Sequence, residues 1–252
     1  MEETPQPPPL LETKSAFIRF WSRMLNVFAS PNEVFEDIKT HPVNHANWII
    51  PLVISTIIGT IYAFVIFSQP AIMQKTRDQI TSGFDKLVSE GKMTQQQADS
   101  GIESTEKIFK FSSTFGATMT TMSMVFFSAL IFWLLGRFAF KYGQFTYPKA
   151  LEIAGLVSLI TALGQLIGMQ LAAYYGDILR TLSPALFLSK LDSQNKVHLI
   201  LSSLNLITFW YLAIASLGLS KLCNVKFIKP ALWLFGLWAV FTFGVILIFG
   251  GR

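Results

Sequence analysis

Five stretches of this chain are long and apolar enough to cross a lipid bilayer, which limits its folds more than any other feature. A helix rises about 1.5 Å per residue and the hydrocarbon core is about 30 Å thick, so a span needs about 20 apolar residues. Trp48 to Phe67, Ser112 to Leu135, Leu151 to Tyr175, Val197 to Leu219 and Ala231 to Phe249 meet that length. Composition agrees: 14% of the residues are charged, where a soluble domain carries about a quarter. The expected fold is an all-α integral membrane protein, with a five-helix bundle over residues 48–252.

Basic residues in short loops set the orientation. The loop 136–150, "GRFAFKYGQFTYPKA", carries Arg137, Lys141 and Lys149 and no acid, and the loop 220–230 carries Lys221, Lys226 and Lys229 and no acid. With five spans both loops share the side of the N-terminus, which predicts a cytoplasmic N-terminus and an extracytoplasmic C-terminus. Residues 68–111 balance six bases against six acids, as suits the opposite side. Residues 1–13 are proline-rich with no basic run, and are expected to be a disordered cytoplasmic tail instead of a cleaved signal. The net charge of +5 suits anionic lipid, and nothing points to nucleic acid. Cys223 is the sole cysteine and forms no intrachain disulfide.

Residues 14–47 read as juxtamembrane helices. At 100° per residue, Phe17, Ile18, Phe20, Trp21, Met24, Leu25 and Phe28 fall in one half-turn, with Arg19, Ser22, Arg23 and Asn26 opposite. That pattern fits a helix lying among headgroups, with packing against a partner's helix as the alternative. Next, Ser30-Pro31-Asn32-Glu33 combines a capping residue, a proline at the first helical position and a glutamate three after the cap. This second helix should end near His41, before Pro42. Trp48 then suits the headgroup level at the mouth of the first span.

Residues 68–111 read as a helical hairpin outside the bundle. Gly91 supplies the stop, and Thr94 with Gln97 forms a capping box for the second arm. Its apolar stripes should zip together or lie on the membrane surface, with docking of an external partner as the alternative.

Searches for chemistry return no catalytic residues, no metal site and no cofactor motif. His41 and His45 are four apart with Pro42 between them, and no cysteine or carboxylate completes a site. Glu152 near the start of the third span is a functional candidate by depth, or an interfacial ion pair with Lys149 three residues earlier. Gln165, Gln170 and Asn205 are read as hydrogen-bonding glue between helices, or as the lining of a transport path. Small residues at four-residue spacing, Ser55, Gly59 and Ala63, then Gly164, Gly168 and Ala172, should let helix backbones approach, and Gly236 and Gly244 should do the same. Those faces close one bundle or join two copies.

The segment "SPNEVFEDI", the tryptophan and "PL" that open the first span, the polar "SEGKMTQQQAD" and the lead "TYPKALEIAG" together resemble the bacterial branch of the Yip-domain (Ypt/Rab-interacting protein) family over roughly residues 20–250. The resemblance implies a five-span bundle with a cytoplasmic N-terminus, in a bacterial inner membrane, and does not imply an enzyme. Its eukaryotic relatives work through small GTPases and partner membrane proteins. This sequence lacks their "DLYGP" stretch and the proline of their "GY…P" motif, so GTPase binding is not carried over. The expected function is a scaffold or adaptor whose partners are the bilayer and other membrane proteins or a second copy. The alternative is a small transporter or lipid-handling subunit, with Glu152, Gln165 and Asn205 converging on a shared polar space.

Overall fold

The computed structural model describes residues 21–249 apart from Ser193. The expected tail 1–13, Phe17 and Arg19 lie outside the described residues. Among those described, all regular structure is helical. In hydrocarbon no water meets backbone N–H and C=O groups, and a helix satisfies them within itself.

The helices, in chain order, are α1 (21–29), α2 (Pro31–Thr40), α3 (Ala46–Ser68), α4 (Pro70–Ser89), α5 (Gln95–Leu134), α6 (Tyr147–Tyr175), α7 (Lys196–Ser203), α8 (Leu206–Leu222) and α9 (Ile228–Phe249). Among the described residues four apolar helices are long enough to cross a membrane, and α7 with α8 makes a fifth span if that bent pair counts as one. The first, third and fifth expected spans correspond to α3, α6 and α9.

Two boundaries differ from expectation. The second arm of the hairpin is no separate helix: α5 starts at the capping box of Thr94 and Gln97 and runs 40 residues, through the expected start of the second span at Ser112. Neither Gly101 nor Gly116 interrupts it, because a lone glycine inside a helix costs only about 1 kcal/mol. The stretch expected as the fourth span is broken into two helices. Asn205 is the N-cap of α8, its side chain accepting from the Ile207 N–H, and α7 and α8 meet at 47°. An asparagine inside an apolar run competes for backbone donors and starts a new helix.

The α6 helix is the hub, packed against α3, α5 and α8. Its most apolar stretch is 67% buried, against 11% for that of α9. That difference explains why α6 tolerates Glu152 and Gln165 while α9 carries no ionisable residue after Lys229. The α1 and α2 helices and the turns after α5 and α8 gather at one end of the bundle, called basal below. The α4 helix and the segment after α6 lie at the distal end, where α4 packs against α5.

Candidate functional site

The α2 helix forms as its sequence predicts. Pro31 opens it and His41 caps its C-terminus. Val34, Phe35 and Ile38 are buried, while Glu33 and Glu36 stay exposed. Ser30 is the N-cap, although its side chain makes no capping bond. Phe35 is fully buried against α8, where Gly218 leaves the room: a Cβ there would come within 3.1 Å of the Phe35 ring. Lys221 on α8 lies 3.3 Å from Glu36, an exposed ion pair across the same contact.

The α1 helix differs from its expected pose. Arg23, expected among the headgroups, is 7% exposed. Its Nε donates to Asp37 Oδ2 at 2.6 Å, and one terminal nitrogen reaches Asn47 Oδ1 at 3.4 Å. The expected apolar face is divided. Met24 joins the core and Phe28 meets the edge of Trp210, with ring centroids 5.9 Å apart, whereas Trp21 and Leu25 remain exposed. Helical periodicity finds the two faces, but the attraction of Asp37 and Asn47 decides which one turns inward.

Asn47 carries the network into the bundle. It is fully buried in the first turn of α3, and its Nδ2 donates to Glu152 Oε1 at 2.7 Å. The Asn44 backbone N–H donates to the same oxygen at 3.1 Å. Lys149 Nζ lies 2.9 Å from Oε2 as an ion pair. The contact lacks hydrogen-bond alignment, and the same ammonium donates to the carbonyls of Ile38 and His41, at 2.6 and 2.8 Å. Lys149 thereby neutralises Glu152 and caps the C-terminal end of α2, where a cation is favoured. The predicted Lys149–Glu152 pair is present, yet Glu152 is 1% exposed, so it belongs to a buried network rather than to an interface. The links Asp37–Arg23–Asn47–Glu152–Lys149 connect α1, α2, α3 and α6. Such a network stabilises only as a set, since removing one member strands the others in low dielectric.

Close backbone approach holds this end together. Gly155 on α6 faces Trp48, whose Cα would lie 2.4 Å from an added Cβ. Trp48 itself packs against Phe126, and its indole N–H donates to His45. Of the predicted small residues, Ser55 is buried and shares a hydrogen bond with Ser158 at 2.9 Å. Gly59 fits against Thr121, Gly164 fits against Ile207, and Ala63 and Ala172 are buried. Gly168 is loosely apposed to Tyr62, whose ring would lie 3.8 Å from an added Cβ. A Cβ added at Gly236 or Gly244 would meet nothing within 4 Å, so among the described residues neither glycine has a helix packed against it. Cys223 is buried beside Gly136, and burial pushes its thiol up to about 12.

The distal half of the bundle is hollow. A cavity of about 560 Å³ lies among α3, α5, α6, α8 and α9. Gln165 and Asn205 line it; Glu152 and Gln170 do not. The three residues expected to converge are thus split, with Glu152 committed to the basal network. Among the described residues, no group of three His, Cys, Asp or Glu side chains gathers as a metal site.

The Yip1 domain family model matches residues 25–248. The chain is 24% identical over 226 residues to "Membrane protein YknW" of Bacillus subtilis (strain 168), a match covering 90% of this chain and 87% of that protein. No solved structure matches.

Proposed function

This chain belongs to the Yip1 domain family, and we propose that it is a non-enzymatic membrane scaffold that presents α1 and α2 to a partner as one rigid cytoplasmic platform. The observation that carries the reading is the buried network through Arg23, Asp37, Asn47, Glu152 and Lys149, which ties both helices to two spans. A helix that only rests in the headgroup layer needs no such tie. Trp21 and Leu25 of α1 and the charged side of α2 form the outward face, an apolar anchor beside a polar rim.

In this reading five spans cross a bacterial inner membrane, with α7 and α8 together as the fourth. The N-terminus is cytoplasmic, because Arg137, Lys141, Lys149 and the lysines 221, 226 and 229 then share the cytoplasmic side. The deciding experiment is site-specific photocrosslinking in the native host, with a photoreactive residue at Leu25 or Lys39 on the platform and at Val240 on α9 as the control. Discrete protein adducts at Leu25 and Lys39 but not at Val240 support the scaffold. Lipid adducts alone at the platform positions, in correctly inserted protein, overturn it.

A further inference from the structure

From the distal cavity we infer a binding site for a neutral lipid carrying a free hydroxyl, such as a diacylglycerol, taken up from the surrounding bilayer. The site is independent of the platform reading, since it shares no residue with the basal network. Its volume of about 560 Å³ lies within the range of about 300–1,000 Å³ common to small-molecule sites.

The chemistry of the walls selects the ligand. Among the described residues no charged side chain lines the cavity. A phosphate brought inside would lose its water without gaining a cation, which disfavours phospholipid headgroups. Tyr62, Val125, Ile167, Leu212 and Trp238 make much of the wall apolar, so a filling of water is disfavoured as well.

Most of the polar groups on the wall are already engaged. The Ser55 and Ser158 hydroxyls bond to each other, Tyr211 donates to Ser128, and Thr181 donates to the Ser202 carbonyl. Of those that are not, Gln165 is the one with a buried unmatched atom among the described residues. Its side-chain oxygen is buried with no hydrogen-bond partner among the described residues. Asn205 commits its own side-chain oxygen to the Ile207 N–H, and its amide nitrogen has no partner among the described residues. A buried polar atom left unmatched costs free energy until a partner arrives. A hydroxyl suits both amides because it donates and accepts, and it serves Gln165 in either orientation of that amide.

The route in is lateral. Thr120, Met124 and Thr161 on the lining are exposed, and all three lie within candidate spans. A molecule that passes them comes from hydrocarbon, which is where a hydroxyl-bearing lipid already resides.

The test uses the full chain in phosphatidylcholine nanodiscs containing a diazirine-tagged diacylglycerol, with phosphatidylcholine bearing the same tagged chain as the comparison. Adducts are mapped by peptide mass spectrometry. Diacylglycerol adducts are expected on the α6 segment around Gln165 and the α8 segment around Thr208, and untagged diacylglycerol should compete them away. Gln165→Leu should weaken that competition roughly fivefold, as the loss of one hydrogen bond implies. Thr208→Phe should abolish labelling by filling the space. The map on the unaltered protein decides the matter even if a variant misfolds. Equal labelling of the same peptides by tagged phosphatidylcholine overturns the proposal, as do adducts confined to the outer face of α9 at Val240 and Phe241.

Discussion

Two residues of one helix, Glu152 and Gln165 on α6, sit in opposite surroundings. Glu152 is enclosed by Asn44, Asn47 and Lys149, in a stretch of α6 that is buried without a break from Ala150 to Ile160. Gln165 faces a cavity, with its oxygen unmatched. The basal half is therefore closed by packing and charge, and the distal half is left open between helices that the basal half holds in place. A polar residue in a span is not one kind of signal. Its meaning depends on whether neighbouring elements complete its bonds or leave them for a visitor.

The largest expected effects come from opening the basal half. Phe35→Ala should cost about 3–5 kcal/mol, because the ring fills the notch at Gly218 and no side chain replaces it. Denaturant titration of the purified protein in detergent checks this, and a loss below about 1 kcal/mol would mean that α2 is not docked. Glu152→Ala should cost about 3 kcal/mol by stranding Lys149 and Asn47. Glu152→Gln should lose less, since one side-chain oxygen can still accept from Asn44 and Asn47.

Gly155→Ala should cost about 1–3 kcal/mol through overpacking against Trp48. Gly236→Ala on the open face of α9 should stay within about 0.5 kcal/mol of the parent. Equal effects at the two glycines would erase the distinction between the packed basal end and the open face of α9. At the distal end, Asp177→Asn removes an exposed ion pair with Lys75 and should change stability by less than about 1 kcal/mol. The smallest effect is kinetic: maleimide should leave Cys223 unmodified at pH 8 until the protein is denatured, because burial holds the thiol protonated and screens it.

The apolar helices were legible because length and hydrophobicity are local properties. The α2 helix was legible too, through Pro31 at its start and Pro42 just past its end. The pairing of Lys149 with Glu152 could be read from their spacing on one helix. The remaining partners of Glu152 come from Asn44 and Asn47, far along the chain, and no periodicity reports on them. Arg23 was misplaced for the same reason: helical projection puts arginine on the polar face, and only the fold brings Asp37 and Asn47 to that face. The break at Asn205 left a trace in the sequence, an asparagine in mid-span, which reads equally well as glue between helices. The cavity left none, because a void is a property of how helices diverge.

Hydrogen exchange on Glu152→Ala, compared with the unaltered protein in the same nanodiscs, tests the central claim most directly. If the buried network locks the platform to the bundle, the amides of α2 from Val34 to Thr40 lose protection while those of α4 do not change. Unaltered protection across α2 would show that the platform is held without Glu152, and would contradict the account.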